Sequence, residues 1–115
     1  MNTLRNKVQL IGNLGSNPEI KEIGENKMLA KLSLATTEVY NNNEGKYIKK
    51  TLWHSLVAWG NTAKIAEKLL KKGDEVAIEG KLVTRSYESN SGERRYITEV
   101  IVNDLLLLRN KQAAA

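Results

Sequence analysis

The chemistry within reach of this 115-residue chain rests on its aromatic residues, two tryptophans and four tyrosines with no phenylalanine. The stretch "KYIKKTLWHSLVAWG", Lys46 to Gly60, alternates as a β-strand does. Lys49, Thr51, Trp53, Ser55, Val57 and Trp59 therefore share one face, and Lys50, Leu52, His54, Leu56 and Ala58 the other. The second face suits a core. The first sets two large flat rings beside a cation and two hydroxyls, a platform for something flat and anionic such as bases on a phosphate backbone. Taken alone, the segment also admits two ordinary core tryptophans in a strand buried on both sides. "KLVTRSYE" repeats the pattern, with Lys81, Val83, Arg85 and Tyr87 on one face and Val76, Ile78, Gly80 and Leu82 on the other. Tyr40 and Tyr47 flank a polar loop, and Arg94, Arg95 and Tyr96 follow a later turn. With aliphatic residues to fill the interior, Trp and Tyr suit partly wet surfaces where their polar atoms find partners. Of the six, Tyr47 and Tyr96 are the best suited to packing instead.

These residues need strands to hold them. Alternation and turn residues predict five: Asn6 to Gly15, Lys27 to about Tyr40, the stretch quoted above, "DEVAIEGKLVTRSYE", and "RRYITEVIVNDLLLL". Gly12 and Gly15 suggest bends, Gly80 a bulge, and "SNSGE" a hairpin turn. Between the third and fourth strands the period changes to about 3.6. "NTAKIAEKLLKKG" predicts the one helix, with Asn61 as N-cap, an apolar stripe of Ala63, Ile65, Ala66, Leu69 and Leu70, and Gly73 as its end. Three strands, a helix and two strands describe an all-β fold, a five-stranded OB-fold barrel with one α-helix between strands 3 and 4. Residues 1–110 read as a single domain, with 111–115 as a short remnant.

Composition narrows the function further. Eighteen Lys and Arg against thirteen Asp and Glu give a formal charge of +5, which favours a polyanionic partner. There is no cysteine, so disulfides, thiolate metal sites and cysteine nucleophiles are excluded. No signal peptide or membrane span is visible, and the expected compartment is the cytoplasm. "GNLGSNPE" lacks the lysine-bearing P-loop spacing and precedes no helix, so it reads as turn chemistry with Pro18. No carboxylate pair stands at a convincing spacing for hydrolysis, so the chain is not expected to be an enzyme, nor to need a cofactor or metal. The single helix has no basic, base-reading surface for a duplex groove, whereas stacking on exposed rings needs single strands.

The segments "NKVQLIGNLGSNPE", "LSLATTE", "WHSLVAWG", "KKGDEVAIEGKLVTR" and "TEVIVNDLLLL" together resemble, in order and spacing, the bacterial single-stranded DNA-binding protein family over nearly the whole chain. The resemblance implies the barrel argued above, a homotetramer, and sequence-tolerant binding that protects exposed single strands in replication, recombination and repair. It implies stacking roles for Trp53, Trp59, Tyr40 and Tyr87, and places Lys7, Lys49, Arg85 and Arg95 near phosphates. The better-known enterobacterial members carry Trp at the positions of Tyr40 and Tyr87 and Phe at that of Trp59, so aromaticity is kept while the strength of each contact differs. His54 stands on the aliphatic face as a structural histidine, and the resemblance places it near a subunit contact. Family members usually end in an acidic tip that recruits replication and repair proteins; "LLLLRNKQAAA" has none. The alternative is a primosome-type replication accessory of the same fold that docks a helicase.

Overall fold

A computed structural model of the chain describes residues 3–25 and 27–110. The expected remnant at 111–115 lies outside them. After a 3-10 turn at Thr3–Arg5, the elements run β1 (Val8–Leu14), β2 (Glu19–Glu22), β3 (Met28–Asn41), β4 (Tyr47–Trp59), α1 (Gly60–Leu69), β5 (Glu75–Glu88) and β6 (Arg94–Arg109). The strand order is β1-β5-β6-β4-β3-β2, and a further β1–β3 pairing closes the five long strands into a barrel. The helix thus lies where expected, between the third and fourth long strands. The short β2, with only Ile20 packed against the core, was not foreseen; four residues of mixed charge carry too little alternation to read as a strand.

Alternation puts the even-numbered side of β1 inward, and Leu14 is buried with Leu32, Leu34, Leu56, Val76, Ile78, Val100 and Val102 in a core cluster of aliphatic residues alone. Two glycines let the barrel close. A Cβ on Gly12 would strike the carbonyl of Ala35 where β1 meets β3, and one on Gly80 would strike that of Ile101. Gly80 also sits at a bulge, since Glu79 pairs with Asp104 and Gly80 with Val102. The expected bend and bulge are therefore points of close backbone approach.

The helix departs from expectation in two ways. It begins at Gly60, whose φ of 59° carries the chain from extended Trp59 into the turn, and no side chain caps it, so Asn61 is not the N-cap. Only Ala63 and Ala66 of its stripe are buried, with Leu70 just beyond its end; Ile65 and Leu69 face outward. Small residues bring the short helix close to the barrel, and that approach turns the larger ones out. Gly73, with φ of 92°, belongs to the turn after the helix, where its N–H donates to the Leu14 carbonyl at 2.8 Å. Among the described residues no helix is long and apolar enough to cross a membrane, and no cluster of His, Asp or Glu is arranged to hold a metal ion.

Candidate nucleic-acid interface

Register decides which of the nominated side chains share a surface. β4 and β6 run parallel with Val57 beside Ile101, so the Trp53 face of β4 is continuous with the odd-numbered side of this part of β6. Across the β5–β6 ladder, Lys81 pairs with Ile101, Val83 with Glu99, Arg85 with Ile97 and Tyr87 with Arg95. Trp53, Ser55, Arg85, Tyr87, Arg95 and Glu99 thus belong to one outward face, with Lys49 further along β4 and Trp59 at its end. Trp53 is 63% exposed, which removes the core-tryptophan reading. Trp59 and Tyr87 are exposed as well. Trp53 and Trp59 are six residues apart on one strand, about 20 Å at the usual rise, enough to span several nucleotides.

Trp53 is seated rather than loose. Its six-membered ring occupies the space that a Cβ on Gly15 would fill, so the loop after β1 forms the support for one side of the indole. Beside it a groove of about 210 Å³ is lined by Ser16, Ser33, Ser55, Arg85, Ile97 and Glu99 among others, crossing from β5 to the β2–β3 edge.

Two nominated residues lie differently from the rest. Tyr40 pairs with Ile48 in the β3–β4 hairpin, so although exposed it stands on the opposite side of the ribbon from Trp53. Tyr47, expected to pack, is instead 80% exposed and falls on the Trp53 side, opposite Asn41. Tyr96 is 70% exposed and pairs with Ser86, on the side of β6 away from Tyr87. Packing roles for Tyr47 and Tyr96 within this subunit are therefore overturned. The two hairpins extend beyond the barrel, and aromatic residues near their tips have no interior to enter. Exposure of Tyr47 was foreshadowed by its place beside "NNNEGK", a turn held by Asn42, whose Oδ1 accepts from the N–H groups of Glu44 and Lys46, each at 2.9 Å.

The cations differ in how far they are already engaged. Arg85 Nε donates to Glu99 Oε1 at 2.8 Å, and that carboxylate holds the guanidinium pKa above its ordinary value, first through the hydrogen bond and then through its charge. Arg95 lies 3.6 Å from Glu93 and Lys7 3.8 Å from Glu79, both as exposed pairs that water and salt loosen. Lys49 makes no ion pair among the described residues. His54 is half-buried, and its Nε2 lies 2.9 Å from Thr36 Oγ1, a structural contact on the side away from Trp53.

An exposed aromatic face flanked by cations on a closed five-stranded barrel invites comparison with known proteins. The model of the single-strand binding protein family matches residues 5–108. This chain belongs to that family. It is a family of DNA-binding proteins, not enzymes. Among its relatives, Single-stranded DNA-binding protein 1 of Chlorobaculum tepidum is 41% identical over 109 residues, covering 94% of this chain and 67% of that protein. Among solved structures, the Plasmodium falciparum SSB complex with ssDNA superposes with a TM-score of 0.83 at 36% identity, covering 90% of this chain and 94% of that one. A deletion mutant of the single-stranded DNA binding protein from Thermus aquaticus gives a TM-score of 0.80 at 25% identity, covering 92% of this chain and 51% of that one. The single-strand binding fold in this chain is thus about half the length of the Thermus chain.

Proposed function

We propose that this chain binds single-stranded DNA without strong sequence preference, stacking bases on Trp53, Trp59 and Tyr87 and on Tyr40 at the hairpin, and neutralising phosphates with Lys49, Lys7 and Arg95. The carrying observation is the exposed Trp53 ring, braced by Gly15 on a face shared with Tyr87 and edged by lysine and arginine. Stacking reads only the π-face and so tolerates any base, while duplex DNA hides those faces. The chain acts by coating exposed strands during replication, recombination and repair, in the cytoplasm with the nucleoid. It assembles as a homotetramer, with His54 near a subunit contact. What supports assembly, besides the family, is an outward apolar row in which exposed Ile11 and Leu106 flank Ala77.

The deciding experiment is tryptophan fluorescence during titration with long oligothymidylate, at low and high salt, beside a duplex of matched length. Strong quenching by the single strand, weakened by salt and nearly absent with duplex, is the expected result. An unchanged emission under every condition would overturn the reading.

A further inference from the structure

The groove beside Trp53 has a charge balance that a simple phosphate track would not have. Four charged side chains line it, Lys31 and Arg85 against Glu19 and Glu99, so its formal charge is zero. Lys31 stands opposite Glu19 in the β2–β3 register, although the Glu19 carboxylate lies 3.9 Å from Lys21, and Glu99 accepts from Arg85 at 2.8 Å. Glu99 is only 7% exposed, so its carboxylate is poorly screened by solvent. A phosphate brought to Arg85 would meet that second negative charge a few ångströms behind the guanidinium, and the attraction would be largely cancelled. Away from the groove, the face carries Lys49 on β4, Lys81 on β5 and Arg95 on β6. The groove itself offers the Ser33 and Ser55 hydroxyls, the Ile97 side chain and the planar, already paired Arg85. A nucleobase is flat, neutral and edged with donors and acceptors, and it matches these walls where a phosphate does not.

We infer that Glu99 takes Arg85 out of the phosphate-neutralising set, so that this groove seats a base and the DNA's counterions are displaced by the cations at its ends. The inference rests on the single-strand reading above, and it replaces the phosphate role expected for Arg85 from sequence. Glu99 is then a positioning residue that keeps the centre of the interface neutral and limits its salt dependence.

The test compares wild type, Glu99→Gln and the double variant Arg85→Gln/Glu99→Gln in oligothymidylate titrations across salt, with thermal melts of each. Glu99→Gln unmasks Arg85. Its log–log salt slope should steepen by about 0.7, so that between about 50 and 200 mM salt its affinity falls about 2.6-fold more than that of wild type. The double variant, which removes a neutral pair, should keep the wild-type slope. An unchanged slope in Glu99→Gln, or a double variant whose slope flattens by about 0.7, would overturn the inference. Should Glu99→Gln fail to fold, the double variant decides alone. A wild-type protein that gives no single-strand response removes the binding reading as well, which separates that failure from one confined to the groove.

Discussion

Trp53 is the residue on which binding and folding can be separated. Its exposed ring contributes little to the interior, yet it is the more exposed of the two indoles on the shared face. Trp53→Ala should weaken oligothymidylate binding by about 1–3 kcal/mol while changing unfolding free energy by no more than about 0.5 kcal/mol; calorimetric titration and urea melts measure the two. Gly15→Ala approaches the same ring from beneath. The methyl group meets the far end of a side chain rather than backbone, so the indole can swing aside at small cost. The fold should survive with a shifted tryptophan emission and a weaker single-strand complex; wild-type affinity would mean that the braced position is not the binding one. The rings themselves were legible from alternation, but their partners were not. The Arg85–Glu99 contact joins positions 14 apart across a hairpin, and nothing in either segment reveals the register that brings them together. Tyr40 shows the same limit, because the side it occupies follows from the pairing of Asn41 with Tyr47.

Among the elements, the long strands were readable because inward aliphatics alternate over many residues, and the single helix because its period changes after Trp59. The helix surface was less readable. Periodicity placed Ile65 and Leu69 on the buried stripe, whereas the close approach allowed by Ala63 and Ala66 leaves both outside. Gly80 was legible as an irregularity in β5, and its tertiary reason yields a sharper expectation. A Cβ there meets the Ile101 carbonyl, which cannot retreat without disturbing the β5–β6 ladder. Gly80→Ala should therefore destabilise the fold by about 1–3 kcal/mol, the usual range for overpacking, in contrast to Gly15→Ala, where only a side chain must yield. Equal urea midpoints for the two variants would show that the ladder absorbs the methyl group.

At the scale of the whole molecule, a barrel this small presents a short stacking face, and affinity for long strands depends on whether several copies act together. The outward side of β1, β5 and β6 carries the row Ile11, Ala77 and Leu106, and its two large members are exposed in the isolated subunit. A glutamate at an exposed position alters subunit stability little, but the glutamates of neighbouring subunits brought together in an assembly would repel one another. On the proposed homotetramer, Ile11→Glu/Leu106→Glu should lower the light-scattering mass at micromolar concentration, with an unchanged circular dichroism spectrum. An oligonucleotide short enough for one barrel should bind as before. A strand long enough to cross several should lose roughly 10²-fold or more, because linked sites gain affinity through effective concentration alone. If the mass falls while long-strand affinity holds, each barrel binds independently; if the mass does not fall, the subunits meet through another surface.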